Sequence, residues 1–457
     1  MVEPLGPRLE VPFVRHDPNG QFAHVNRWFQ ETEPPRNLIL VAHGMSLTLF
    51  DVQWSGHTHG SGLALGTLRP SETVLAEREG ELADPLEFDV LRSRMDGLNR
   101  WAAMEAVTSD YDTDESGLIQ SFTAIARSTF GESWRQGEAD LRLVAHWGTL
   151  PTEDAYDRRI AITNNVVLES RFPTARPFVD HLAEQRKVAN LLVLMFGAPI
   201  SFREHRIRHN RFPTRVLSGR IIDHPFVEIV SVRTVRERAM RVPATSERQD
   251  PLATVTQIGP DGMTEWSNNY DKWRRFILPS VAVLGRPDAF LEDIVTSTSM
   301  AIEAAGSLVG FREGEQPTYG RTGRPTAATY AYRCLDVIDV EFGVHAGGRT
   351  ELARAIANNY NAVKHFDRGD LPDHRETHLI AELNCWIVRL FALTLTGKGK
   401  ELIAPHRLAR ERWRLVQWFE AYRLRIDSGG RWVPSQQASG TVGDHAAEPG
   451  EATLGTG

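Results

Sequence analysis

Cysteine is nearly absent. Cys334 and Cys385 stand alone in a chain of 457 residues, which excludes a disulfide framework and any zinc site built on cysteine. They read as buried thiols of a reducing compartment. Excess positive charge is missing too. The formal net charge is −7, whereas a protein that coats nucleic acid without sequence preference is usually basic. Any nucleic-acid contact is therefore local. No apolar run reaches membrane-spanning length: Leu191–Ile200 is too short, and Trp386–Leu395 is broken by Arg389. The opening "MVEPLGPRLEVPFVRHDPNG" holds no apolar stretch of signal-peptide length. These absences predict a cytoplasmic protein with no membrane partner. There is also no Gly-x4-Gly-Lys-Ser/Thr loop, so nucleotide hydrolysis is not encoded. "NLILVAHGMS" has the strand and His-Gly pair of an α/β-hydrolase, but the chain lacks the Gly-x-Ser-x-Gly elbow that fold needs.

What is present is ordinary in bulk and uneven along the chain. Apolar residues make up 41% and charged residues 24%, as in an average soluble protein, and the length suggests two or three domains. Residues 1–280 read as β-rich, with room for two lobes. Short β-branched or aromatic runs such as "NLILVAHG", "LTLFDVQWSG", "LRLVAHWG", "IAITNNVVLES" and "FVEIVSVRTV" are bounded by glycine, proline or polar clusters. One helix interrupts them, starting at Pro177 and ending before Gly197 and Pro199. From about Arg286 the pattern becomes helical only, and successive helices with short loops suggest an antiparallel bundle over residues 285–426. Residues 427–457 lack apolar periodicity and are expected to be disordered. The expected fold class is α+β, a β-rich N-terminal region followed by an all-α helical bundle.

One helix of that bundle is unusual. "RAIANNYNAVKHFDRGD", Arg354 to Asp370, places three asparagines within four residues, although asparagine is less favourable in a helix than alanine by roughly half a kcal/mol. At 100° per residue, Leu352, Ile356, Asn359, Val363 and Phe366 form one stripe, the natural core face. Arg354, Asn358, Asn361 and His365 form a second stripe on the opposite side. Tyr360 and Lys364 share a flank one turn apart. Four polar residues at helical spacing usually mark a solvated face, but such faces favour Glu, Lys, Gln and Arg over repeated Asn. The helix also closes on a titratable imidazole at the negative end of its dipole.

"YNAVKHF", inside a helical unit of this size, resembles the signature helix of the HEPN superfamily and is most similar to its ApeA-like branch. There Arg-Asn-x-x-Lys-His is a common form; the position before Asn361 is Tyr360 here. "FDVLRSRMDGLNRWAAM" (Phe88–Met104) and "SRFPTARPFVDHLAEQRKVANLLVLMFGAPISF" (Ser170–Phe202) are similar to segments of ApeA-type N-terminal domains. The resemblance implies a bacterial abortive-infection protein. In it an N-terminal sensor or regulator controls a dimeric, metal-independent endoribonuclease, and phage infection supplies the trigger. The implied partners are RNA, with tRNA among the candidates, and a second copy of the chain; no cofactor and no metal is implied.

Cutting RNA without metal requires a base for the 2′-hydroxyl, positive charge on the developing phosphorane and a proton for the leaving 5′-oxygen. Two copies of His365 across a dimer would supply base and acid, Lys364 the charge, and Asn361 would orient the imidazole or a phosphate oxygen. Arg354, Asn358 and Tyr360 are the expected RNA contacts. Arg354 lies about 16 Å from His365 along the axis, so it reaches a His365 site only from an antiparallel partner. The competing reading is an inactive HEPN scaffold that binds RNA or dimerises. Two histidine pairs weigh less. His57 and His59 of "GHTHG" read as a polar turn, and His374 and His378 of "HRETH" have the i, i+4 spacing of a zinc helix without its Glu.

Overall fold

The computed structural model describes residues 6–13, 29, 33–42, 45–60, 63–153, 156, 158–243, 250–365, 371–408 and 410–435. Nine strands build its main sheet: β1 (Leu38–Ala42), β2 (Met45–Phe50), β3 (Glu72–Val74), β4 (Glu87–Met95), β5 (Thr129–Gln136), β6 (Ala139–Glu153), β7 (Arg158–Pro177), β8 (Phe202–Arg208) and β9 (Val227–Ser231). Their spatial order is β5-β6-β7-β4-β8-β9-β3-β2-β1, antiparallel throughout. Along the second half of β4 the side chains alternate, with Leu91, Ser93 and Met95 buried and Arg92 and Arg94 on the more open face.

The buried face of the sheet packs on α1 (Phe178–Phe196), which starts directly after Pro177 and ends at Gly197 with φ 63°. That helix carries polar residues into the core, each with a partner. His181 contacts Ser170 Oγ at 3.0 Å and the Phe88 carbonyl at 3.1 Å, and Gln185 Nε2 donates to the Leu91 carbonyl at 3.0 Å. Buried polar groups of this kind are tolerated because they are hydrogen-bonded.

Helices follow: α2 (Val255–Tyr270), α3 (Arg274–Leu284), α4 (Leu291–Val309), α5 (Ala327–Ile338), α6 (Arg349–Lys364), α7 (His374–Thr394) and α8 (Arg410–Tyr422). A β-rich region leading into a helical part is therefore what the chain forms. Helices begin earlier than the expected boundary near 285, since α2 and most of α3 fall before residue 280. The Thr254–Gln257 capping box starts α2, and Gly259 at φ 70° followed by Pro260 breaks its first turn. That break hid the periodicity. A single apolar cluster runs from Phe88 and Leu168 through Leu191 and Trp266 to Ile356 and Leu390, so the sheet and the bundle share one core.

Two further expectations are corrected. "LTLFDVQWSG" is not one strand: Asp51, at φ 47°, separates β2 from the strand Gln53–Gly60, which pairs with Leu63–Arg69 in a different, three-stranded sheet. The sequence "GHTHG" lies in that strand rather than in a turn, with His57 stacked on Phe29 at 5.1 Å. The tail expected to lack structure from residue 427 instead begins with a hairpin, Leu424–Ile426 paired with Trp432–Pro434. Asp427 closes its turn by accepting from the backbone N–H groups of Gly429 and Arg431, the Asx-type chemistry that "DSGGR" encodes. Phe366, placed on the core stripe above, lies outside the described residues.

Candidate functional site

The helix α6 forms over nearly the span its sequence predicts, and its C-cap N–H, that of His365, donates to the Asn361 carbonyl. Leu352, Ala353, Ile356 and Ala357 bury its inner face. Tyr360 joins them. It is 2% exposed, its hydroxyl donates to Glu303 Oε2 of α4 at 3.4 Å, and Lys364 lies 5.2 Å from its ring centroid. Burial first, and then the Glu303 charge, raise the Tyr360 phenol above its ordinary value. A residue so enclosed offers RNA no surface, so the expected RNA contact at Tyr360 is corrected to a core role.

The polar stripe divides into two halves. In the first, Arg354 Nη1 donates to the Ser428 carbonyl at 3.0 Å and Nη2 to the Pro317 carbonyl at 2.6 Å, while Asn358 Nδ2 donates to the Gly430 carbonyl at 3.1 Å. These residues hold the hairpin turn against α6. The fit is close: a Cβ on Gly430 would sit 2.3 Å from Arg354 Cβ. In the second half, Asn361 and His365 are half-buried and Lys364 is exposed. Neither Asn361 nor His365 has a side-chain hydrogen bond among the described residues. The structure thus gathers Asn361, Lys364 and His365 into the last turn of α6 and keeps Arg354 and Asn358 apart from them.

The third asparagine has a different task. Asn359 is buried, and its Nδ2 donates to Thr377 Oγ1 of α7 at 3.3 Å, tying the two helices. The two α7 histidines sit in different surroundings. His378 accepts from or donates to Tyr422 at 3.2 Å and packs edge-on against Trp418 of α8; burial lowers its affinity for a proton. His374 is exposed at the helix start. Among the described residues no three His, Cys, Asp or Glu side chains come within metal-ligating reach of one another.

Sequence reasoning missed Glu303 and the Asp427–Gly430 turn as neighbours of the stripe. The turn signal was legible in "DSGG", but its docking on Arg354 is a tertiary fact. A recess of about 830 Å³ lined by Asp336, Asp339, Arg349 and Lys398 lies at the other end of α6, about 24 Å from His365 along the helix axis.

Residues 15–222 match the family model described as ApeA N-terminal domain 1. The matched stretch is less than half of the chain and ends before α2, so it supports an ApeA-like protein without reaching the Asn361–His365 turn. No curated protein and no solved structure matches the chain. Among the described residues, no helix is long and apolar enough to cross a membrane.

Proposed function

We propose that the protein is a cytoplasmic anti-phage defence effector whose helical part is a HEPN-type, metal-independent endoribonuclease, regulated by the sheet region. The observation that carries this reading is the cluster of Asn361, Lys364 and His365 in one accessible helical turn, behind a region similar to the ApeA N-terminal domain. His365 takes the proton from the 2′-hydroxyl, and His365 of a second copy returns one to the leaving 5′-oxygen. Lys364 stabilises the phosphorane charge, and Asn361 orients the imidazole or a phosphate oxygen. RNA is the substrate, because DNA lacks the attacking hydroxyl.

The second reading, an inactive scaffold that binds RNA or dimerises, draws on Tyr360. Where the ApeA-like pattern has arginine, this chain buries a tyrosine, leaving Lys364 as the cation of that turn. Purified protein incubated with RNA in excess chelator separates the two. The nuclease reading expects fragments ending in cyclic phosphate, and none from a substrate carrying 2′-deoxy sugars throughout. Intact RNA that is nevertheless bound would favour the scaffold, and cleavage abolished by chelator would contradict both the chemistry and the site.

A further inference from the structure

The face of the main sheet that α1 leaves uncovered carries a charge pattern that fold stability does not ask for. Across five neighbouring strands the register aligns Arg142, Glu169, Arg92, Arg206 and Glu228 in one row. Arg92 and Arg206 thus face each other directly, and like charges in directly opposed positions destabilise a sheet. One turn of the pleat away, Arg94 joins them on the same face.

The carboxylates order these cations without neutralising them. Glu169, 2% exposed, accepts from Arg92 Nε at 2.9 Å and from Arg142 Nε at 2.6 Å. Glu204 accepts from Arg94 Nη1 at 3.2 Å and from Arg206 Nε at 2.5 Å. Glu228 is matched by Arg238 at 2.8 Å. Four guanidinium groups against two shared carboxylates leave an excess of two positive charges. Phe226 supports the arrangement from the side, its ring centroid 3.7 Å from the Arg92 guanidinium carbon.

A recess of about 370 Å³ opens over this set, lined by Arg92, Arg94, Arg206, His146, Trp147 and Asn165 among others. That volume falls at the small end of the range for ligand sites, about 300–1,000 Å³. Trp147 pairs with Asn164, whose side chain reaches Met104 and Ala106 on the core side, so the indole points across the sheet, away from the arginines. His146 contacts Ser128 through Nδ1, whereas its buried Nε2 has no hydrogen-bond partner among the described residues, and an orphaned polar atom beside a recess calls for a ligand or solvent group. The excess positive charge is felt by the neighbours. Burial and then Arg92 lower the proton affinity of His146, and burial, Arg142 and Arg206 act against the charged form of Arg92 despite Glu169.

We propose that this recess binds a small phosphate monoester, with the dianionic phosphate held by Arg92, Arg94 and Arg206 and the organic part reaching Nε2 of His146. Two surplus charges match one phosphate monoester, and guanidinium forks suit phosphate oxygens. The recess is too small for a long oligonucleotide to be the fitted ligand. This site lies in the sheet region and does not depend on the nuclease reading.

The test is calorimetric titration of the full-length protein with AMP and UMP, alongside ribose 5-phosphate, inorganic phosphate and a 5′-phosphorylated oligoribonucleotide. At least one of AMP, UMP and ribose 5-phosphate is expected to bind more tightly than inorganic phosphate. Arg94→Gln and Arg206→Gln, both at half-exposed side chains, should each weaken it about tenfold. Trp147→Ala, across the sheet from the arginines, should leave binding unchanged. Circular dichroism of each variant checks that the sheet is intact. The proposal is overturned by the absence of binding at millimolar monoester, by equal affinity for inorganic phosphate, or by binding that the arginine variants leave unaltered. Binding of the oligoribonucleotide but of none of the three small monoesters overturns it as well. Because the readout is binding rather than cleavage, its failure is distinguishable from failure of the nuclease reading.

Discussion

Arg389, in the middle of α7, donates from Nε to the carbonyl oxygen of Leu194 in the last turn of α1, 3.1 Å away. Its Nη2 donates to the next carbonyl, Met195, at 2.9 Å. A bundle side chain thus satisfies carbonyls at the end of the helix that supports the sheet, the groups a helix C-terminus leaves open. The contact is tight, since a Cβ on Gly197 would meet the Arg389 guanidinium carbon at 2.9 Å. Two further bonds reinforce the joint: Trp266 Nε1 to the Lys187 carbonyl at 3.1 Å, and Asn190 Nδ2 to the Tyr270 hydroxyl at 2.5 Å.

Sheet and bundle should therefore unfold together. Arg389→Met keeps much of the volume but strands the Leu194 carbonyl and leaves that of Met195 with only the Leu252 N–H, and the expected cost is about 1–3 kcal/mol. Denaturant unfolding followed by tryptophan fluorescence and by far-UV dichroism checks this. Coincident transitions are expected in the wild type, and two separated transitions would show that the parts are energetically independent.

The two halves of the polar stripe on α6 should respond differently to mutation. Arg354→Ala removes two bonds, to the Ser428 carbonyl of the hairpin turn and to the Pro317 carbonyl of the 3-10 turn Gln316–Thr318, and is expected to cost about 1–3 kcal/mol. Gly430→Ala combines φ 74° with a collision against α6 and should cost a similar amount. His365→Ala is expected to change stability by less than about 0.5 kcal/mol. Thermal denaturation of the three variants gives the comparison, and limited proteolysis should cut first within residues 424–435 in the first two.

Acid should weaken the fold in two overlapping windows. Burial lowers His181 to about 4 and His205 to about 3 from an ordinary 6.5. The unfolded chain binds these protons first, so their contribution is complete above pH 6.5 and is lost as pH falls toward 4 and 3. Glu315 is held at about 2 by its bonds to Arg333, against an ordinary 4.5. Its contribution is complete above pH 4.5 and lost between there and pH 2. Urea midpoints measured from pH 7 down to pH 3 should fall throughout. Glu315→Gln should lower stability at pH 7 by about 3–5 kcal/mol, because it leaves Arg333 buried without its carboxylate, and should flatten the limb below pH 4.5.

Legibility from sequence followed the range of the interactions. Local signals worked: Pro177 and Gly197 bracket α1, and β-branched or aromatic runs between turn residues marked most of the strands. The stripe of α6 was visible from spacing, whereas the grouping of Asn361, Lys364 and His365 came from the resemblance of that helix to the HEPN signature. Long-range facts were hidden. Nothing in "RAIANNYN" says that Arg354 and Asn358 face a hairpin some seventy residues later, or that Tyr360 turns inward to Glu303. The row of arginines on the open sheet face comes from three separate strands, so no linear motif announces it.

If two copies of His365 make one site, mixing should be non-linear. In a ninefold excess of His365→Ala chain that exchanges freely, only about one hundredth of the dimers carry two intact copies, against one tenth of the chains. RNA cleavage should fall to the smaller fraction. Activity that tracks the wild-type chain in simple proportion would place a complete site in each copy.

The most direct measurement is RNA integrity in phage-infected cells expressing either the wild-type chain or His365→Ala at matched abundance. The proposed function expects fragmented RNA with the wild type and intact RNA with the variant. Equal decay in the two, or protection from phage with no RNA cleavage in either, would contradict it.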